Sequence, residues 1–136
     1  MSEQTQTKPP RAVLQRDQAR ALHAYKSVEA VNAELQKNYK IAVLAFGTNI
    51  LRSGLSAALS DLERKLNDDG KPSAALALMD HLRNADVPHI PASTRPRDVP
   101  AEVRKMGTVE YMLATRETLQ VVVWLKRAVQ ATIKEA

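Results

Sequence analysis

The stretch TVEYMLATRETLQVVVWLKRAVQATI, residues 108–133, contains neither glycine nor proline. Thr108 is a good N-cap, and the residues from Val109 to about Ile133 predict one uninterrupted helix of roughly 37 Å at the α-helical rise. Its apolar steps, Tyr111, Ala114, Thr115, Thr118, Val122, Leu125, Val129 and Ile133, trace one inner face. Val121 and Trp124 widen that face, so the helix is expected to be packed on more than one side, with Trp124 mostly buried.

Upstream, four of the seven prolines (Pro88, Pro91, Pro96 and Pro100) fall within thirteen positions. The stretch 86–99 therefore reads as a long loop, with one or two helical turns opening at Pro100 and closing at Gly107. Val87, Ile90 and Val99 are apolar loop residues, read as a contact completed only in an assembly. Pro72 suits the first turn of a short helix whose inner side is Ala75, Leu76, Leu78, Met79 and Leu82. The turn signal at 67–70 closes an apolar pattern of Leu55, Ala58, Leu59, Leu62 and Leu66. The run Ile41–Phe46 is apolar all round and predicts a buried central segment of a helix that starts near Tyr39 or Lys40. Gly47 and Gly54 interrupt it, each marking either a kink or a close approach of a second helix. From Arg11 to about Gln36, Leu14, Ala21, Leu22, Tyr25, Val28 and then Val31 or Leu35 predict a first amphipathic helix, with Asn38 as terminator. Residues 1–10 read as a disordered N-terminal tail with no apolar signal segment, and 11–136 as one helical domain.

Composition agrees with that pattern. The 136 residues include four glycines, 4% aromatics and no cysteine. Few turn and strand formers argue against a β-sandwich or barrel. The absence of cysteine excludes disulfides, thiolate metal sites and a cysteine nucleophile. The expected fold is all-α, a single-domain bundle of five or six helices with a long C-terminal helix. No apolar run approaches the roughly 20 residues that span a bilayer, so a cytoplasmic protein with no membrane partner is expected.

Catalytic constellations do not assemble. His23, His81 and His89 are not spaced to put two ligands on one helix face, and they read as exposed polar residues. No Gly-Lys-Ser/Thr follows the glycines, Ser53 lacks a nucleophile-elbow context, and the acidic cluster before Gly70 lacks calcium-loop spacing. No enzyme activity, metal or cofactor is expected. A helix-turn-helix over 62–82 is also poorly supported, because its second helix offers no arginine, asparagine or glutamine before Arg83. What remains is a net charge of +5. Arg16 and Arg20 lie one helical turn apart. With Lys37, Lys40, Arg52, Lys126 and Arg127 they are the candidate nucleic-acid-binding residues, expected to form a basic stripe that touches phosphate and reads no bases.

Three stretches carry a family resemblance. The first is Glu110-Tyr111 through Ala114-Thr115-Arg116-Glu117, followed by Trp124-Leu125-Lys126-Arg127. The second is Ile50 with Ser53-Gly54-Leu55 and Leu59, and the third is Gln18-Ala19-Arg20-Ala21 through Ala24 and Val28. Together they resemble the small helical subunit of type III-B CRISPR effector complexes, the Cmr family, over about residues 11–131. Ser53 stands where the family usually has asparagine, and Gly47 where a proline is common. Gly54, Tyr111, Ala114, Thr115, Glu117 and Trp124 are the structural motif positions that the resemblance implies. It further implies a non-catalytic scaffold in antiviral defence that stacks with copies of itself in a filament. Its other partners would be the remaining complex subunits, the CRISPR guide RNA and the target RNA. The alternative is a free-standing basic helical adaptor or homo-oligomeric interaction protein with no RNA role. Neighbouring genes for other effector subunits would separate the two.

Overall fold

The computed structural model describes residues 12–66 and 73–133; the tail at 1–10, the turn at 67–70, Pro72 and the Leu14 side chain lie outside the described residues. The described residues form α1 (Ala12–Glu29), α2 (Gln36–Ser53), α3 (Leu55–Arg64), α4 (Ala74–Arg83), α5 (Val99–Arg104) and α6 (Thr108–Thr132). Among them there is no strand, and the long last helix is where the sequence predicts it. The fold is an all-α single domain.

The first boundary differs from expectation. Helix α1 stops at Glu29, a 3-10 turn spans Ala33–Leu35, and α2 begins at Gln36, so Asn38 lies inside a helix rather than ending one. The cause is tertiary. The earlier turn buries Val31 in the corner and returns the chain so that α2 packs along α6. The inner line of α1 is also rotated from the predicted one: Ala24, Ser27 and Val28 are buried, while Leu22 is 61% exposed.

Helix α2 buries Tyr39, Val43, Phe46 and Ile50 at three- and four-residue steps. Ile41–Phe46 is therefore not buried all round; Ile41 is exposed, because one flank of α2 has no neighbour among the described residues. The two glycines divide the two roles anticipated for them. A Cβ on Gly47 would stand 3.1 Å from Val122 Cγ1, which marks a close approach of α2 and α6. Gly54 has φ +97°, a left-handed conformation that breaks the chain between α2 and α3. Contacts of Gly54 with Tyr111, Gly47 with Val122 and Lys40 with Ile133 run in opposite order along the two chains, so α2 and α6 are antiparallel.

Ser73 caps α4, its Oγ accepting from Leu76 N–H at 3.1 Å, and Ala75, Leu78, Met79 and Leu82 face the core while Leu76 is half-buried. The proline-rich loop folds back on α4 through a 3-10 turn at Pro96–Asp98. Val87, Ile90 and Val99 are buried by that return, so they are core residues and not an open contact awaiting a partner. At the start of α6 the N-cap is Gly107 rather than Thr108, and the Glu110 carboxylate accepts from Gly107 N–H at 2.7 Å. Helix α6 buries Ala114, Glu117, Thr118, Val121, Val122, Leu125, Ala128 and Val129 between α1 and α2.

Two histidines, His23 and His81, depart from the expected exposed role. The Tyr39 hydroxyl lies 2.6 Å from His81 Nδ1, with the rings edge-on, and His23 Nε2 lies 2.9 Å from the His81 carbonyl oxygen. Burial pushes the His81 imidazole down to about 4 from its ordinary 6.5, with the charge of Asp80 opposing and that of His23 assisting. Between those values the unfolded chain binds a proton that the folded chain refuses, so stability falls as pH drops through the window. The full effect is on the order of 3 kcal/mol. Thermal unfolding between pH 7 and 4 is expected to show a declining Tm in the native chain. The His81→Gln variant is expected to show a shallower decline over the same range.

Candidate nucleic-acid interface

A charged concavity lies where α1 meets α6. Arg20 and Glu117 form an ion pair across the two helices, each side chain 12% exposed. Arg16, one turn earlier on α1, is exposed, and Arg116 on α6 is 72% exposed with its Nε 3.8 Å from Glu117 Oε2. The hydrogen bond from Arg20 holds the Glu117 carboxyl below the usual range against the opposing effect of burial, and the charges of Arg20, Arg16 and Arg116 add to it. Asn84, Asp86 and Pro88 form the facing wall of a groove of about 660 Å³. Asp86 takes a left-handed φ of 60°. Three guanidinium groups thus converge on one carboxylate, and Arg16 has no ion-pair partner among the described residues.

The other predicted basic residues stand elsewhere. Lys40 donates through Nζ to the Ile133 carbonyl at 2.8 Å, neutralising the end of α6. Sixteen residues of α6 separate Ile133 from Glu117, roughly 24 Å of helix. Lys37 is exposed one turn before Lys40, and Arg52 is exposed at the far end of α2, beside Gly54. Lys126 and Arg127 are exposed on α6, and the Arg127 guanidinium lies 4.8 Å from the centre of the Trp124 ring. Trp124 itself is partly buried at the edge of the core. Arg16 and Arg20 are brought together, as their spacing requires. Arg116 joins them although it was not among the residues singled out; its signal was its place beside Glu117, facing the first helix.

Gly54, Tyr111, Ala114 and Glu117 are engaged within the fold. Gly54 has no side chain with which to cap α3, and the Tyr111 hydroxyl takes that place by accepting from Ser56 N–H at 2.9 Å. A Cβ on Gly54 would stand 3.3 Å from that hydroxyl oxygen. Ala114 is fully buried, and Glu117 holds Arg20.

With this frame in place, residues 16–132 match the family model described as CRISPR-associated protein (Cas_Cmr5). The chain belongs to that family. It is similar in structure to a CRISPR-associated Cmr5 family protein from Thermus thermophilus, with a TM-score of 0.67 and 29% sequence identity, covering 85% of this chain and 96% of that one. Among curated protein sequences there is no match. Cmr5 proteins are small structural, generally non-catalytic subunits of type III-B CRISPR complexes, and membership implies association with other Cmr subunits. No group of potential metal ligands and no helix long and apolar enough to cross a membrane occurs among the described residues.

Tyr111→Phe removes the acceptor for Ser56 N–H while keeping the ring. It is expected to cost about 1 kcal/mol of stability in urea unfolding. Gly54→Ala is expected to destabilise as well, since it strains the left-handed position and presses on the same hydroxyl.

Proposed function

We propose that this Cmr5-family chain is a non-catalytic structural subunit that stacks with copies of itself in a filament and helps hold target RNA along the guide–target duplex. The setting is antiviral defence in the cytoplasm, and the reaction chemistry belongs to other subunits. The observation that carries the RNA role is the α1/α6 groove, where Arg16 and Arg116 are exposed beside a satisfied Arg20–Glu117 pair. The internal pair occupies Arg20 and fixes the groove, which leaves the outer two guanidinium groups to meet phosphate oxygens. Arg127 continues the line on the same helix, roughly 16 Å beyond Arg116. Lysine and arginine on a backbone carry no base information, so the contact is blind to RNA sequence. A single subunit presents few such contacts and binds weakly; stacking copies along one strand raises the effective concentration.

The test is RNA binding by the reconstituted complex across salt, with Arg16, Arg116 and Arg127 replaced by alanine in pairs. Each lost phosphate contact is expected to lower the salt slope by about 0.7, the value for single strands. Unchanged affinity and slope in a normally assembled complex would make these arginines solvated surface. Failed assembly would assign them to protein contacts.

A further inference from the structure

Five of the six large hydrophobic side chains exposed among the described residues lie on α2 and α6: Ile41, Leu51, Val109, Met112 and Val123. Helix geometry places them together. On α2 the line facing α6 runs through Lys40, Gly47 and Gly54, and on α6 the line facing α2 runs through Tyr111, Val122 and Ile133. One residue further along each helix is a rotation of about 100°. That rotation reaches Ile41 and Thr48 on α2, with Leu51 beside them, and Met112 and Val123 on α6. Because the helices are antiparallel, the two rotations have opposite senses in space and turn both sets to the same side. Helix α1 packs on the other flank of α6, and α3 and α4 pack on α2 along its buried Tyr39–Ile50 line, so that no other described element covers this side. Half-buried Leu44 and Leu119 fill the space between the exposed side chains.

Among the described residues the charge on this face has one sign. Helix α2 contains no Asp or Glu, and the two acids of α6 are engaged elsewhere, Glu110 at Gly107 and Glu117 at Arg20. Lys37 and Lys126 border the apolar centre. An uncovered apolar area of this kind, bordered by polar groups, marks a protein contact. The aliphatic centre offers no open aromatic ring on which a base could stack, which disfavours RNA. A second copy is a poor complement. Face against face would set the same cations opposite one another. The rest of the described surface has Leu22 as its one large exposed hydrophobic residue.

We infer that the α2/α6 face docks a different protein of the effector complex, one that presents an apolar surface bordered by carboxylates. This rests on the chain being a complex subunit. The test co-expresses the full chain with the remaining complex subunits and guide RNA, and measures its stoichiometry by native mass spectrometry. Leu51→Glu and Met112→Glu place a charge on solvent-exposed positions, and circular dichroism of the free chains confirms that they fold. Both are expected to lower incorporation by more than about tenfold, whereas Leu22→Glu on α1 leaves it unchanged. Lys37→Glu with Lys126→Glu is expected to weaken incorporation most at low salt. Wild-type incorporation with equal incorporation of Leu51→Glu and Met112→Glu overturns the docking face alone. Failure of the wild-type chain to join the complex overturns both this inference and the subunit reading. A free-chain dimer in sedimentation that Leu51→Glu dissolves gives the face to a second copy and overturns the inference.

Discussion

Glu117 is a carboxylate in the middle of the longest helix, turned toward another helix and away from solvent. Leaving such a group unpaired costs several kcal/mol in a dry site and less at the edge of an open groove. In either case α1 can lie along α6 only in a register that sets a cation opposite it. Arg20 is that cation. Once Arg20 is placed, Ala24, Val28 and Val31 follow it onto the core, and Leu22 is turned outward. The rotation of α1 away from its simplest amphipathic reading is thus a consequence of one ion pair. So is the position of Arg16, which stands at the groove because it is one turn from a residue that has no freedom to move.

The opposite flank of α6 is governed by closeness rather than charge. Gly47 lets α2 approach Val122 more tightly than a side chain would allow, and the same pair of helices ends at a second glycine, Gly54. There the chain must reverse into α3 with an unsatisfied N-terminal amide. Tyr111 supplies the missing acceptor from α6, so the break between α2 and α3 is held by the helix that α2 packs against. Lys40 closes the other end of this pair on the Ile133 carbonyl. Helix α6 is therefore tied at its first turns by a phenol, at its centre by a carboxylate, and at its last turn by a lysine.

Much of this was legible in residue order. The unbroken run from Val109, the buried steps Leu55, Ala58, Leu59 and Leu62, and the proline-rich loop all stand where periodicity and punctuation put them. Periodicity fails where a helix has one dry flank and one uncovered flank, as at Ile41, because an apolar run looks the same whether its outer side meets core or water. It also fails where a loop folds back: Val87, Ile90 and Val99 read as open because nothing local signals the return onto α4. Asn38 carries only a local preference for ending a helix, too little to outweigh the packing that turns the chain earlier. His81 gave no sign of burial, since its partner Tyr39 lies on another helix and 42 residues away. The groove was half legible. The spacing of Arg16 and Arg20 was visible, whereas the convergence of Arg116 depends on how two distant helices meet.

Within the stretches that carry the family resemblance, the residues held by internal contacts and the residues that can meet a ligand are different sets. Gly54, Tyr111, Ala114 and Glu117 are each consumed by an internal contact: a reversed backbone, a cap, a close packing and an ion pair. A side chain so engaged is not available to RNA without breaking the frame that holds it. The cations that remain available, Arg16, Arg116 and Arg127 along one flank and Lys37 and Lys126 along another, are placed by that frame but are not part of it. Their surroundings separate them further. In the first group Arg16 and Arg116 border a polar groove, where a phosphate would keep much of its hydration. The second borders aliphatic side chains, which gain from exclusion of water only against another protein. The proposed function, nucleic acid on one side and neighbouring subunits on the other, calls for such a division, and in this chain the division follows from packing one long helix between two unlike ones.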